Sequence, residues 1–580
     1  MADGPSPLRQ AAPAGFDGID FPFRPACCIM PPVDNSEQGE RRRFLGAAKT
    51  VAALTMLSRV LGLLRDMLIV PLGGGILADR FWTAFSVPNL FRRLFGEGAL
   101  SAAFVPVFTT VAEAEGWQKA RLVLANVAGV LTVALAALIV LVELGLWAAW
   151  AVLGGDWARM VLLQLTALML PFMFTVCLLA LGSAALNCKG HFAYPAAAPI
   201  ILNVGLIISA CWAAPALARD DPRGQFFVIA GGLLVTGVVQ LLGVVWLLHR
   251  SGLAVVPRLA PLLPEVKHIA KLMAPMLLPL SVLQFSAFAD RLIALIFTGP
   301  GLPLTDGTVR CIYAANRLYQ LPMGVLGISI ATVVFPLFSR YAARNDVAGL
   351  RDATNRALRL GAFLGIPAGV ALILLARPVV ALIFERRSFQ EADTERAALI
   401  LTMYCLGMSA YFWNHILLRA FYAMKETRAP LILASILSGV NLLLVLGGIF
   451  TPLRAGAIGL ATACTSSANA LLLLWALRRR WGRLGFRTIL ASITRTAVAT
   501  TCMGGAIALA HWQLTPIVLH FIRGRMATGI VVAACVVAGI TVFFVAAAVL
   551  RCPELRDLLS RGRETPGTTG PPNAGDGVSG

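Results

Sequence analysis

Acidic residues are scarce in this chain: 29 Asp and Glu stand against 49 Lys and Arg in 580 residues, and charged residues of both signs make up only 13%. Soluble domains draw about a quarter of their residues from the charged set, so a soluble globular protein is excluded. Histidine is rarer still, with six in all and no HExxH-like spacing, and the eleven cysteines, from Cys27 and Cys28 to Cys552, include no CxxC. A metal-ligand motif is therefore missing, and the cysteines read as small buried hydrophobes. GxSxG and Walker loops are absent as well, so no assembled catalytic constellation supports an enzyme. Residues 1–40 are rich in Pro, Gly and polar residues and contain no apolar run of export-signal length, which predicts a disordered tail.

What the chain has in abundance is apolar length. Hydrophobic residues make up 58%, and the mean hydropathy is +0.78. From Phe44 onward, runs of the ~20 residues that a helix needs to cross a ~30 Å hydrocarbon core follow one another. They predict an all-α polytopic membrane protein of about 14 transmembrane helices, near 44–70, 77–112, 121–153, 157–187, 195–216, 226–249, 266–298, 308–341, 353–384, 394–424, 429–450, 456–479, 488–512 and 525–551. The second and eighth contain Pro88 and Pro106, then Pro322 and Pro336, and are expected to be broken or bent where they face protein or a wet cavity.

The net charge of +20 would suggest nucleic acid in a soluble chain. Here the basic residues collect in alternate loops, such as Arg41 to Arg43, Lys119 and Arg121, Arg344 and Arg351, and Arg478 to Arg480. The positive-inside rule accounts for that pattern without nucleic acid and places both termini in the cytoplasm.

Laid on itself at about 230 residues, the chain repeats. FGEGALSAAFVPVF (95–108) resembles GVLGISIATVVFPLF (324–338), and NCKGHFAYPAAAPIILN (187–203) resembles YAMKETRAPLILASILSGVN (422–441). An even number of crossings per unit keeps both copies in one orientation, so two six-helix lobes in a parallel pseudo-repeat are expected. The domains are then a disordered tail at 1–40, an N-lobe at 41–250, a C-lobe at 251–480, an extra helix pair at 481–551 and a polar tail at 552–580.

The stretch from Ser58 to Phe108 departs most from its apolar surroundings. It holds Arg59, Arg65, Asp66, Asp79, Arg92, Arg93 and Glu97 within or beside membrane helices. Each such charge costs roughly 2.5–3.5 kcal/mol at a helix centre, and several cations together would line a wet, positive cavity. Guanidinium forks bind phosphate oxygens bidentately and stay charged at any accessible pH. Arg65 and Arg92 from the first lobe, with Arg317 from the second, would put donors on both sides of a central cleft. At about 100° per residue, Arg59 and Asp66 share a helix face, which predicts an Arg59–Asp66 pair and leaves Arg65 for ligand.

The segments SRVLGLLRD, ADRFWTAFSVPNLFRRLFGEGALSAAFVPVF, YAANRLYQLPMGVLGISIATVVFPLFS and LLRAFYAMKETRAP resemble the MurJ (MviN) lipid II flippase family of the multidrug/oligosaccharidyl-lipid/polysaccharide exporter superfamily. The resemblance implies a transporter of the bacterial inner membrane. It would move undecaprenyl-pyrophosphate disaccharide-pentapeptide from the cytoplasmic to the periplasmic leaflet by alternating access, with the last helix pair forming a groove for the lipid tail. Its partners would be lipid II, membrane lipids and the cell-wall synthesis machinery. The family's important cations and acids fall here on Arg59, Arg65, Arg92 and Arg317 and on Asp66, Asp79 and Glu97. No organic cofactor is implied. A sodium site found in some members matches Asp290, Asn441 and Thr462, although Val445 stands near the place of a second acid. The alternative on the same architecture is a cation-coupled exporter of another lipid-linked oligosaccharide or of drugs.

Overall fold

The computed structural model describes residues 35–94, 100–153, 156–482, 484–522 and 524–560. Within them the chain is helical, and the only β-pairing is two isolated bridges, Thr298 with Leu304 and Arg386 with Phe389. In order, the helices are α1 (Asn35–Ile69), α2 (Gly75–Phe91), α3 (Leu100–Ala114), α4 (Gly116–Leu153), α5 (Trp157–Met169), α6 (Phe172–Cys188), α7 (Ala193–Ile208), α8 (Ala214–Leu217), α9 (Pro222–Arg250) and α10 (Pro264–Ile296). After them come α11 (Thr308–Pro322), α12 (Ile328–Ala343), α13 (Val347–Leu374), α14 (Ala376–Phe384), α15 (Glu391–Cys405), α16 (Met408–Ala423), α17 (Arg428–Gly448), α18 (Gly456–Trp481), α19 (Phe486–Phe521), α20 (Arg525–Val549) and α21 (Pro553–Ser560). Glu97 lies outside the described residues, as do the tails before residue 35 and after residue 560.

The chain divides into two compact units, Met1–Thr50 and Val51–Gly580. The described part of the first is helical. The second contains every described residue of the candidate site.

Local signals set the helix boundaries. Asp221 and Asp346 accept from the backbone N–H groups of Arg223 and Gly349, so their side chains satisfy donors that the first turn leaves open. The expected eighth crossing runs from Thr308 to Ala343 and passes through a π-helical turn, Met323–Gly327, immediately after Pro322. Proline withholds a backbone donor and its ring crowds the preceding turn, so a widened turn beside it is the expected accommodation.

Ten helical segments among the described residues are long and apolar enough to cross a membrane. The remaining expected crossings are helical as well: α1, α2 with α3, α10, and α15 with α16. Three of those four carry Arg59, Arg65, Asp66, Asp79, Asp290 and Arg291. Segments that length and composition fail to count thus hold many of the intramembrane charges, while Arg310 and Arg317 lie on a counted one, Thr308–Ala343.

Packing follows chain order. In the first part of the chain α2 packs on α5, α3 on α4 and α6, and α6 and α7 on α9. Later, α11 packs on α15, α13 on α16, and α15, α16 and α17 on α18. Helices α10 and α11 lie against α2, which brings the two parts of the chain together at the charged helices. Helices α19 and α20 pair with each other and dock on α13 and α14 through a separate apolar cluster that includes Phe363, Met503, Ile507 and Phe543.

Candidate anion-binding cavity

Asp66 is fully buried near the end of α1, where an unpaired carboxylate would be costly to desolvate. Three side chains compensate it. Arg65 donates from Nε at 2.9 Å and from Nη2 at 2.6 Å to Oδ1, and the Tyr313 hydroxyl donates to the same oxygen at 3.2 Å. Arg317 of α11 contacts Oδ2 through Nε at 2.7 Å. Arg65 also donates to Asn203 Oδ1 at 3.1 Å and to the Tyr313 hydroxyl at 3.2 Å, and Tyr313 stacks on Trp82 with centroids 3.7 Å apart. The expected pairing is therefore reversed. Arg65, not Arg59, binds Asp66, because a long guanidinium stem can curl back onto its chain neighbour whatever the helical phase of the two Cα atoms.

In front of this node is a cavity of about 300 Å³ lined by Arg59, Arg65, Arg92, Arg93, Arg291 and Arg317. Among the described residues no carboxylate lines it; Asn89, Asn203, Asn316 and Gln320 supply neutral polar groups, and Trp82, Phe85 and Tyr313 supply aromatic walls. All four arginines expected from the sequence are present, drawn from α1, the end of α2, and α11. Arg93 and Arg291 join them. Arg93 donates to Gln284 at 3.3 Å and Arg92 to Asn89 at 3.0 Å, whereas Arg59 and Arg291 make no hydrogen bond or salt bridge among the described residues. The arrangement can accept a polyanion with several oxygens, for which guanidinium groups on two sides provide forked donors.

Two glycines let these arginines lie where they do. A Cβ on Gly62 of α1 would collide with Nη2 of Arg317, and one on Gly324 would sit 2.9 Å from Nη1 of Arg59. Each helix therefore receives the other's guanidinium in a gap that a side chain would fill.

Asp79 does not face the cavity. Its two oxygens accept from the backbone N–H groups of Gly307 at 2.8 Å and Arg310 at 2.9 Å, so it caps the start of α11 from α2. One turn away, buried Arg310 donates to Asp393 Oδ2 at 2.5 Å, to Ser388 Oγ at 3.2 Å and to the Gly73 carbonyl at 3.4 Å. Ser388 in turn donates to the Pro71 carbonyl, from N at 3.3 Å and from Oγ at 2.9 Å, and its hydroxyl also bonds the Gly73 carbonyl. Together these contacts tie the α1–α2, α10–α11 and α14–α15 connections into a seal at one end of the molecule. Sequence reasoning passed over Arg310, Ser388 and Asp393. An arginine in the first turn of a helix opposes the helix dipole, and that was the available sign that it needs a buried acid.

The expected sodium ligands fall in a separate cluster. Asn441 donates from Nδ2 to Asp290 Oδ1 at 3.0 Å, and Thr465 Oγ1 donates to Asn441 Oδ1 at 3.4 Å. Thr462 bonds its own helix at Ile458, so Thr465, three residues further along α18, is the one that reaches Asn441. Hard cations require converging oxygens. Here an amide nitrogen faces the single carboxylate, Val445 is buried and apolar, and no three His, Cys, Asp or Glu residues converge among the described residues. The set as arranged is a hydrogen-bonded pair and does not fit a sodium ion.

A family model described as "Lipid II flippase MurJ" matches residues 70–525. The chain is similar to "Probable lipid II flippase MurJ" of Vibrio cholerae serotype O1, at 33% identity over 488 residues, covering 82% of this chain and 90% of that one. It is similar also to the protein of the same description in Rhizobium tropici, at 34% identity over 474 residues, with 80% and 87% covered. Among solved structures it resembles "Lipid II flippase MurJ, inward closed conformation" with a TM-score of 0.68 at 23% identity, covering 88% of this chain and 99% of that one, a likeness of fold.

Proposed function

The chain belongs to the MurJ family of lipid II flippases, and we propose that it carries lipid II across the bacterial inner membrane by gripping the pyrophosphate in its arginine cavity. It is a multi-pass membrane transporter. The observation that carries the site assignment is the lining itself, six arginines with no carboxylate among the described residues. Cationic drugs would be repelled from such a lining, which favours the lipid-linked anion over the drug-export alternative.

Arg59 and Arg291, which have no hydrogen bond to give up among the described residues, are the first donors available to the pyrophosphate. Arg65 and Arg317 stand behind them, sharing Asp66 between α1 and α11. A pyrophosphate arriving at the cavity competes with Asp66 for those two guanidiniums, and weakening the Asp66 link loosens the contact between the two parts of the chain. The sealed end, whose α1–α2 and α10–α11 connections hold no Lys or Arg, is read as periplasmic, which puts both termini in the cytoplasm and has lipid II enter from the cytoplasmic leaflet. Release then requires the Arg310–Ser388–Gly73 contacts to part. An apolar groove of about 530 Å³ between α13 and α19, lined by Ile366, Val370, Leu374 and Gly504, is the assigned path for the polyprenyl tail.

Depletion of the protein tests this reading. Lipid II should accumulate on the cytoplasmic face of the inner membrane, and complementation should return with wild type but not with a variant in which Arg59 and Arg291 are both alanine. Normal leaflet distribution of lipid II after depletion would overturn it.

A further inference from the structure

The last turn of α18 carries three consecutive arginines, and the structure gives each a different use. Arg480 pairs with Glu426. The Arg479 guanidinium lies over the Trp475 ring, 3.9 Å from its centroid. Arg478 makes no hydrogen bond or salt bridge among the described residues, and it lines a cavity of about 650 Å³ together with Arg487 of α19, which makes none either. The rest of the wall is apolar. Leu471, Leu474 and Trp475 precede Arg478 at helical spacing and so share its face of α18, while Leu484 and Ile489 line the cavity from the α19 side. Among the described residues α18 and α19, although consecutive in the chain, do not pack along each other; α19 packs on α13 and α20, which leaves the cleft open. The cleft shares no lining residue with the arginine cavity or with the groove between α13 and α19.

The first half of the chain supplies a comparison. Trp246 and Arg250 end α9 at the repeat offset of about 230 residues from Trp475 and Arg479, with the guanidinium 4.3 Å from the ring centroid. His249 stands there in the place of Arg478. The chain beyond it turns back on itself, with Lys189 donating to the Ser251 carbonyl and Leu253 buried. A tryptophan with an arginine one turn on is an ordinary anchor at headgroup depth, and both copies have it. Only the second copy adds two unpaired guanidiniums beside an apolar cleft. Such a lining matches a ligand with phosphate at one end and hydrocarbon at the other. The alternation of basic loops puts this end of α18 at the cytoplasmic face, where anionic lipids offer that combination. We propose that the cleft binds an anionic glycerophospholipid of the cytoplasmic leaflet, with its phosphate on Arg478 and Arg487 and an acyl chain along Leu474 and Leu471. Seated there, the lipid fills the space that α18 and α19 leave between them. The inference rests on the orientation of α18 and not on the lipid II reading.

The test measures equilibrium binding to the purified full chain in a neutral detergent. Fluorescent phosphatidylglycerol and phosphatidylethanolamine are the probes, and unlabelled undecaprenyl phosphate is the competitor. Wild type should bind phosphatidylglycerol about tenfold more tightly than phosphatidylethanolamine. The double variant Arg478→Gln/Arg487→Gln should lose about tenfold in affinity for phosphatidylglycerol, as expected for lost charge-assisted hydrogen bonds, and stay within about twofold for phosphatidylethanolamine. Arg250→Gln, at the matching place in the first half of the chain, should keep wild-type affinity for both. If the double variant melts early, Leu471→Trp, which narrows the cleft without removing a charge, should weaken phosphatidylglycerol binding by a similar factor. A wild type without preference for phosphatidylglycerol, a stably folded double variant that keeps its affinity, or an equal loss from Arg250→Gln would overturn the site. Displacement of phosphatidylglycerol by an equal amount of undecaprenyl phosphate would give the cleft to the carrier lipid and overturn the phospholipid assignment.

Discussion

The guanidinium of Arg317 lies across Gly62, in the space that any side chain at residue 62 would occupy. Gly62 is buried in the interior of α1, two turns before its end, where glycine is less favourable than alanine by roughly 0.5–1 kcal/mol, so helix propensity alone would select against it. Gly62→Ala should therefore give a normally inserted protein whose Arg317 is displaced from Asp66. The expected result is loss of complementation at wild-type membrane levels, with no fall in melting temperature. Full activity of this variant would show that the position of Arg317 over α1 is immaterial to transport.

Arg59 and Arg65 differ by their partners, and their substitutions should differ accordingly. Arg59→Ala removes a cavity cation without a hydrogen bond among the described residues and should abolish complementation while leaving protein amounts near normal. Arg65→Ala takes one partner each from Asp66, Asn203 and Tyr313, and breaking a buried pair costs about 3–5 kcal/mol, so protein amount should fall along with activity. Lysine should restore Arg59 in part, because charge survives and the fork does not. Quantitative immunoblots beside complementation check both; equal abundance of the two alanine variants would contradict the division of roles.

Asp393→Asn should weaken the seal. It leaves Arg310, which donates to both Ser388 and the Gly73 carbonyl, with a neutral partner. A cysteine placed at Gly74 should then react several-fold faster with a membrane-impermeant thiol reagent added from outside the inner membrane. An unchanged labelling rate would mean that the backbone contacts of Asp79 with Gly307 and Arg310 suffice to keep this end shut.

Membrane potential should reset the empty carrier. Moving one elementary charge across the membrane is worth about 2.3 kcal/mol per 100 mV, and the cavity presents six guanidiniums with Asp66 behind them. Bound pyrophosphate offsets part of that positive charge. Empty, it is drawn toward the negative cytoplasmic side. Dissipating the potential should raise outward-facing cysteine accessibility at cavity positions and stall flipping, whereas collapsing the pH gradient alone should not. An unchanged pattern would show that the arginines bind without sensing the field.

Much of this was open to reading in one dimension. Helix positions followed from apolar length: the crossing expected at 157–187 forms as Trp157–Cys188, that at 429–450 as Arg428–Gly448, and that at 525–551 as Arg525–Val549. Burial in lipid leaves the backbone no partner but itself, so an apolar run of sufficient length becomes a helix without reference to its neighbours. The cavity cations were legible for a related reason: Arg59, Arg65, Arg92 and Arg317 stand out because lipid makes their charge expensive wherever they are not in a wet cavity.

Partnership was not legible. Helical phase put Asp66 with Arg59, yet its partners are Arg65 beside it, Tyr313 and Arg317. Asp79 looked like another cavity acid and turned out to cap a helix from the opposite part of the chain. Thr465, rather than Thr462, reaches Asn441, and Arg310 finds Asp393 across a connection that sequence spacing does not reveal. The sequence by itself determined which segments are helices and which charges need a reason to be there, because both are answered by the exchange of water for lipid, residue by residue. Which guanidinium meets which carboxylate was decided only by the tertiary structure: long side chains reach several candidates equally well, and the packing of the charged helices leaves Arg65 and Arg317, but not Arg59, within bonding distance of Asp66.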